Sequence, residues 1–106
     1  MQQFTNAALH VTAISQTIYE CLTNENVTIH NLLITNNSTS NSLINLVLIK
    51  NLESFNLIPS DFILKPKNTL EMKPINLIAG DKLEIRSDLN DQCDVVASIL
   101  KEVRDF

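Results

Sequence analysis

Short runs of alternating apolar and polar residues fill most of this sequence, and this pattern restricts the fold more than any other feature. Clusters of Asn, Ser, Asp and Pro separate the runs. A period of two places successive side chains on opposite faces of a β-strand, and runs that recur about every ten to fifteen residues are typical of a sandwich or barrel. We therefore predict one all-β domain over residues 1–106, an antiparallel β-sandwich of jelly-roll-like form with about eight strands.

The predicted strands differ in how clearly the pattern defines them. They cover residues 7–12, 16–21, 27–35, 43–50, 62–65, 69–72, 82–86 and 93–103. The last segment is ambiguous, because Val95, Val96, Ile99 and Leu100 fit an amphipathic helix as well as a strand. β-Branched residues favour a strand through Leu100, whereas residues 101–106 are compatible with either a strand or a short helical turn.

The third predicted strand changes its alternation halfway along. Val27 and Ile29 share one face, but Leu32 and Ile34 fall on the opposite one. One extra residue in a strand shifts the alternation by one position and bends the strand locally, which defines a β-bulge. We predict a one-residue bulge near residues 30–31 that returns all four apolar side chains to the core.

The fourth predicted strand is apolar on both faces. Leu43, Val47 and Ile49 share the face that carries Asn45, and the opposite face is apolar as well. A sandwich strand ordinarily has one face in water, so two apolar faces require a second cover. A second subunit or the neighbouring loops could supply it, and the sequence leaves both alternatives open. Leu43, Val47 and Ile49 are our candidate residues for an interface with another subunit or a particle shell.

Small polar residues run without interruption from position 36 to position 42. Such residues favour turns and cannot contribute to an apolar core. We predict an exposed loop whose candidate surface residues are Asn37, Ser38, Thr39, Ser40 and Asn41.

The chain contains a single glycine, Gly80, which stands between two apolar runs. Glycine adopts positive φ without steric cost, so its isolated use here indicates a turn immediately before the strand over residues 82–86. Asp81 follows it and is expected to accept a hydrogen bond from the backbone of the same turn. Gly80 and Asp81 are thus predicted to be structural residues.

The sequence lacks the residue patterns that catalysis or cofactor binding requires. One glycine is too few for the loops that bind nucleotide phosphates, and His10 and His30 have no ligand-like spacing with cysteine. Cys21 and Cys93 lack a CxxC partner, and we interpret them as buried strand residues rather than as a disulfide. We predict no enzymatic activity, no cofactor and no metal ion.

Three aspartates at positions 88, 91 and 94 resemble the oxygen ligands of a calcium loop. The central glycine and terminal glutamate of an EF-hand loop are missing, and no helices are predicted on either side. We interpret this segment as a polar hairpin turn.

Charge and hydropathy argue against two classes of partner. The formal net charge is -4, and the eight Lys and Arg residues are scattered, so nucleic-acid binding is not expected. No apolar run approaches the roughly 20 residues of a membrane-spanning helix, so we expect no membrane partner. The first residues lack the pattern of a secretory signal, which predicts synthesis in a cytoplasm.

Four short motifs follow one another in order along the chain. They are a strand with Thr and Tyr at residues 15–19, an apolar strand ending in Asn at residues 27–36, a Gly-Asp turn at residues 78–87, and a strand with Ser and Glu at residues 94–102. This order resembles a family of small virion proteins of tailed bacteriophages. The chain departs from that family in lacking Pro and Gly after the Tyr strand and a Gly before Thr69.

The resemblance implies a non-enzymatic β-sandwich subunit of a bacteriophage particle, made in the host bacterial cytoplasm and incorporated into the virion. A capsid decoration or cement protein, or a head-fibre protein, is the leading interpretation, with a neck, collar or tail protein as the close alternative. Its partners would be further copies of itself and other virion proteins such as the major capsid protein. An alternative of another class is a carbohydrate- or ligand-binding module, whose recognition tip would be formed by the loops at residues 36–42 and 88–91.

Overall fold

A computed structural model describes residues 2–104, and every regular element in this range is a β-strand. The ten strands of this range are Gln2–His10 (β1), Gln16–Glu20 (β2), Glu25–Asn36 (β3), Ser42–Lys50 (β4), Glu53–Asn56 (β5), Phe62–Leu64 (β6), Thr69–Met72 (β7), Ile75–Leu77 (β8), Lys82–Ser87 (β9) and Cys93–Val103 (β10). Within the same range, no helix is long and apolar enough to cross a membrane.

The strands form two antiparallel sheets of five strands each. In the first sheet the order is β1, β10, β3 and β7, and β8 continues the β7 edge by pairing with another part of β3. In the second sheet the order is β2, β9, β4 and β5. β6 pairs with the first part of β4, and β5 pairs with the last part. The predicted all-β antiparallel sandwich is confirmed.

The core lies between the inner faces of the two sheets. Every second residue of β10, from Cys93 to Ile99, is buried, and β9 contributes Leu83 and Ile85 from the opposite sheet. Burial of apolar surface at about 25 cal/mol per Å² is the main favourable term for such a sandwich. The period of two in the sequence therefore corresponds directly to the inner and outer faces of the sheets.

The predicted bulge in the third strand is confirmed. β3 and β10 pair with Ser98 opposite Asn31 and Ile99 opposite Ile29, so His30 is the extra residue. Its side chain is exposed, and the apolar residues on either side of it point into the core. The bulge therefore places the apolar residues before and after it on the same face of the strand, although their alternation in the sequence differs by one position.

Three strand assignments differ from the sequence-based prediction because the strands concerned lie at sheet edges. β1 begins at Gln2 rather than at residue 7, and its first half is exposed on both faces, so no alternation is required there. β5 is exposed at all four positions, and β8 has only three residues. A strand that buries little apolar surface leaves little periodic signal in the sequence.

Of the two alternatives left open for residues 101–106, a strand or a short helical turn, residues 101–103 adopt the strand and continue β10. Lys101 lies opposite Val27, and Val103 lies opposite Glu25. Pairing with β3 supplies backbone hydrogen bonds that a helical turn would have to replace. Residues 105–106, also included in that expectation, lie outside the described residues.

The segment at residues 88–92 is not a hairpin turn, which corrects the prediction for the aspartate-rich stretch. It connects β9 in the second sheet to β10 in the first. β9 is already flanked by β2 and β4, and β10 by β1 and β3, so the two consecutive strands cannot pair with each other. Asp88 lies beside β4, because its backbone N–H donates to the Leu43 carbonyl over 3.1 Å.

The turn at Gly80 has the predicted conformation. Gly80 has φ +91, its N–H donates to the Cys21 carbonyl over 2.9 Å, and the Asp81 N–H donates to the Ile78 carbonyl over 2.9 Å. The Asp81 carboxylate also accepts a hydrogen bond of 3.0 Å from the Ile78 N–H, as expected for an aspartate in its own turn. Asp81 is nevertheless 3% exposed, and Lys50 donates to both of its carboxylate oxygens. The sequence did not reveal this ion pair.

We expect Gly80→Val to lower the free energy of unfolding by about 1–3 kcal/mol, as measured by urea denaturation. A Cβ placed at this position meets nothing within 4 Å, so the cost arises from the positive φ rather than from a clash. Gly80→Asn is the matched control, because asparagine tolerates positive φ, and it should cost less than half as much. Equal stability of the Val variant and the wild type would contradict the assigned conformation.

Candidate interaction surface on the second sheet

The outward side of β4 carries the predicted interface residues. Ile44 and Leu46 are fully buried on the inner side, so the alternation turns Leu43, Val47 and Ile49 outward. These three side chains are partly buried within the isolated chain. Neighbouring strands of the same subunit therefore supply part of the second cover, and an apolar remainder faces outward.

Ile63 of β6 extends this apolar surface, although the sequence analysis did not select it. It lies directly opposite Leu43 and is 56% exposed. Directly opposed residues on one face of a sheet have Cβ atoms about 5 Å apart, so the two side chains form one apolar cluster. The signal in the sequence was the apolar triplet at residues 62–64, whose central residue must face away from its neighbours.

A polar pair divides the apolar surface in two. The Asn45 side chain donates to Asp61 Oδ1 over 2.9 Å, and the Asp61 backbone N–H donates back to Asn45 Oδ1 over 3.0 Å. Asp61 has φ 53, a conformation that aspartate tolerates better than most residues. Leu43 and Ile63 lie on one side of this pair, and Val47 and Ile49 lie on the other.

Charged side chains of β9 form a border along the apolar surface. Lys82 lies opposite Ile49, Glu84 lies opposite Val47, and Arg86 is the next outward residue of the strand. The signs of charge alternate along the strand, from Lys82 to Glu84 to Arg86. An apolar centre with a polar rim is the usual arrangement of a protein–protein interface. We call Leu43, Val47, Ile49 and Ile63, together with this border, the β4 face.

The polar loop after β3 is exposed only in its middle. Asn37, Thr39, Ser40 and Asn41 are exposed as predicted, and Ser38 is partly buried. Both ends of the polar run are fully buried, at Asn36 and Ser42, so the expectation that the whole run faces solvent is wrong. The reason is that Asn36 satisfies the buried carbonyl of Leu64 and the Ser42 hydroxyl donates to Asp88, which apolar side chains cannot do.

Asn36 holds the loop together through four side-chain hydrogen bonds. Its Nδ2 donates to the carbonyl oxygens of Ser40 over 2.8 Å and of Leu64 over 2.9 Å. Its Oδ1 accepts from the Ser38 backbone N–H over 2.9 Å and from the Ser38 hydroxyl over 2.7 Å. The asparagine therefore joins the end of β3 to its own loop and to β6 in the opposite sheet.

The two polar loops that the carbohydrate-binding alternative requires do meet at one end of the sandwich. Asp88 Oδ1 accepts hydrogen bonds from the Leu43 N–H and the Ser42 hydroxyl, and the Asn37 N–H donates to the Gln92 carbonyl over 2.8 Å. Neither loop contains an aromatic residue for stacking against a sugar ring. One hydrogen bond, from the Ser42 hydroxyl to Asp88, joins the two loops directly, and the geometry of the loops adds no support to that alternative.

The aspartates at positions 88, 91 and 94 do not converge on one point. Asp94 instead contacts His10 Nδ1 at 2.6 Å and accepts from the Asn37 side chain over 2.7 Å. The hydrogen bond to the Asp94 carboxylate raises the pKa of His10. Among the residues that the structure describes, no group of three His, Cys, Asp or Glu residues is placed to hold a metal ion.

The two cysteines are buried and free, as interpreted from the sequence. Cys93 pairs with Asn36 at the end of β3, whereas the Cys21 thiol contacts the Glu25 carbonyl at the start of β3, so the thiols lie at opposite ends of the sandwich. Burial raises the pKa of both thiols. A raised pKa leaves less thiolate, which is the reactive form, at neutral pH.

A buried carboxylate lies at the end of the sandwich opposite to the loop after β3. Glu25 Oε1 accepts from the Tyr19 hydroxyl over 3.0 Å and from the Leu22 N–H over 3.1 Å, and Lys101 Nζ lies 3.2 Å from Oε2. Burial alone raises the pKa of Glu25, but the hydrogen bonds from Leu22, Lys101 and Tyr19 outweigh burial and hold the pKa below its ordinary value. The hydrogen bond to Glu25 also raises the pKa of Lys101.

Comparisons with known proteins find solved structures with a similar fold. No family model and no curated protein matches the chain. A structure of Bacillus endospore appendages, a family of disulfide-linked pili, matches with a TM-score of 0.60 and 8% identity, over 99% of this chain and 88% of that chain. Two structures of a pentameric capsid protein isolated from metagenomic phage sequences match with TM-scores of 0.46 and 0.45, identities of 17% and 18%, and coverage of 89% and 92% of this chain. This chain corresponds to 59% and 61% of those two. Likeness at these identities concerns the fold alone.

We expect Asn36→Ala to lower the free energy of unfolding by about 2–4 kcal/mol, because it removes the hydrogen bonds to the buried Leu64 carbonyl, to the Ser40 carbonyl and from the Ser38 N–H. Urea denaturation measures the change. Asn41→Ala, on the exposed part of the same loop, should stay within about 0.5 kcal/mol of the wild type. A similar effect of the two substitutions would show that Asn36 does not organise the loop.

Glu25 predicts a pH dependence of stability. Because its pKa is lower in the folded protein, its contribution is present above the unfolded carboxyl pKa of about 4.3 and is lost as the pH falls through the folded value. Glu25→Gln should cost about 1–3 kcal/mol at pH 7 and should make the free energy of unfolding less dependent on pH below about 5. Urea unfolding at several pH values measures both effects. Glu53→Gln, at an exposed position, is the control, and an equally steep pH dependence in Glu25→Gln would contradict the assignment.

Proposed function

We propose that this protein is a non-enzymatic structural subunit that acts in a repeated assembly, and that this assembly is a bacteriophage particle. The β4 face carries the proposal, because it presents apolar side chains in a part of the sandwich that solvent normally contacts. The order of sequence motifs, which resembles small virion proteins of tailed phages, is what favours a phage particle over other assemblies. Within the particle we favour a capsid decoration or head-fibre position, with the neck, collar or tail as the alternative.

The residues of the β4 face suit association better than they suit solvent. Leu43, Val47 and Ile49 are already partly buried, so little side-chain entropy remains to be lost when a partner covers them. Ile63 is the most exposed of the four and gains the largest apolar burial. The charged border of β9 would lie at the rim of such an interface, where charges affect specificity more than affinity.

Repetition allows a small face to function in a large particle. A stable isolated interface buries about 800 Å² on each partner, and a few partly buried side chains fall short of this area. Identical subunits bound around a symmetric particle add many such contacts. Once one contact has formed, the effective concentration of the surfaces that form the next contact is high. We therefore place self-association and contact with a shell protein, such as the major capsid protein, in one mechanism.

Val47→Asp combined with Ile49→Lys should leave the protein folded but abolish association through the β4 face and binding to particles. An ionised side chain at either position must be desolvated when a partner covers the β4 face, which opposes association. Sedimentation of the purified protein measures self-association, and co-sedimentation with purified virions that lack the protein measures binding. Unchanged self-association together with retained particle binding by the double variant would refute the role of this face.

Two further variants make the result independent of any folding defect. Ile63→Lys changes the exposed residue of the β4 face without disturbing the core, and it should weaken assembly in the same direction. Thr39→Asp combined with Asn41→Lys introduces the same pair of charges in the exposed loop and should leave assembly unchanged. Circular dichroism confirms the β-fold of every variant. Absence of the protein from purified virions would reject the phage assignment while leaving the β4 face as an interface.

A further inference from the structure

β1 is a long edge strand, and from Phe4 to His10 no strand within residues 2–104 pairs with its second side. It pairs with β10 along its whole length, and the pairing contains no register shift. From Phe4 to His10, β10 is the only strand within residues 2–104 that lies beside it. The contact between His10 and Asp94 fixes the far end of β1 on β10. This edge is therefore already extended and ready to pair with another strand.

The other sheet edges have features that oppose pairing. Lys73 and Pro74 interrupt the edge formed by β7 and β8, and a loop containing Pro59 interrupts the edge formed by β5 and β6. β2 is five residues long and has a register shift between Thr17 and Tyr19. Proline, bulges, charge and short length are the usual means by which sandwiches prevent edge-to-edge contact. β1 has none of these features between Phe4 and Leu9.

The composition of β1 favours pairing with an identical strand. Residues 4–9 carry no charged side chain, so two copies of this segment approach without like-charge repulsion. Backbone donors and acceptors on a strand edge are best satisfied by another extended strand, and within residues 2–104 no other edge strand is as long as β1. A second copy of the chain thus offers the best-matched partner, in an antiparallel arrangement around a two-fold axis.

Side-chain sizes on the outer face of β1 agree with an antiparallel arrangement. Phe4 is 80% exposed near the start of the strand, and Ala8, on the same face, lies near the end. Antiparallel pairing brings the first half of one strand beside the second half of the other. Each Phe4 would then lie over the small Ala8 of the opposite strand rather than against a second phenylalanine.

We propose that β1 of one subunit pairs antiparallel with β1 of a second copy, so that the first sheet continues through both subunits. This interface is separate from the β4 face, which belongs to the second sheet. A subunit with two different self-contacts can link into an extended array, since each contact leaves the other available. The inference extends the proposed function but does not depend on it.

The experiment uses the full chain with Ile63→Lys, which weakens association through the β4 face, and adds Asn6→Lys and Ala8→Lys, which place charges on the outer face of β1. Both positions are exposed, so the fold should be retained. Juxtaposed like charges cost several kcal/mol, so the dissociation constant of the dimer should rise at least about a hundredfold in sedimentation equilibrium. Thr39→Lys with Asn41→Lys in the same Ile63→Lys background is the matched control, and its dimer should be as tight as that of Ile63→Lys alone. An unchanged dimer in the β1 variant would overturn the proposal.

Hydrogen exchange separates this interface from the β4 face. In an Ile63→Lys background, where association through the β4 face is weakened, the amides of residues 4–10 should gain protection as the protein concentration rises. Concentration-independent exchange at these amides, or a wild-type protein that stays monomeric at millimolar concentration, would overturn β1 pairing. Loss of particle binding in Ile63→Lys with β1 protection retained would support both interfaces separately.

Discussion

The pairing of β3 with β10 is the interaction on which the rest of the structure depends. These are the two longest strands, they lie at the centre of the first sheet, and their inner faces carry much of the core. The bulge at His30 keeps both halves of β3 in register with one continuous β10. Without it, either Val27 and Ile29 or Leu32 and Ile34 would face solvent, and the loss of that burial exceeds the cost of one irregular residue.

Each end of β3 is fixed by a buried polar side chain rather than by apolar packing. Glu25 at the first end binds the turn after β2 and the side chain of Lys101, and Asn36 at the other end binds its own loop and β6. Apolar contacts stabilise many registers nearly equally, whereas a buried hydrogen-bonding group is satisfied in few of them. These two residues therefore specify where β3 begins and ends. Through the hydrogen bond from Asn36 to Leu64, the end of β3 is also joined to β6 in the second sheet.

The sequence predicted features that depend on local chemistry and missed those that depend on distant partners. The bulge, the positive φ of Gly80 and the outward direction of Val47 follow from alternation or from residue type alone. The burial of Asn36 could not be read from a run of seven similar polar residues, because the Leu64 carbonyl that it satisfies is far away in sequence. The missed part of β1, from Gln2 to Asn6, is exposed on both faces and leaves no periodic signal. The roles of the β4 face and of β1 in assembly remain predictions.

The position of β10 has a consequence for synthesis. β10 follows every other strand in the chain, yet it occupies the place between β1 and β3 in the first sheet. Until the ribosome has released this strand, β1 has no neighbour in its sheet and β3 lacks one side of its pairing. Contacts between such distant segments form slowly, and unpaired strands are prone to aggregation until those contacts have formed. β1 becomes a paired edge strand only when β10 lies beside it, so subunits cannot join through this edge before β10 has been synthesised.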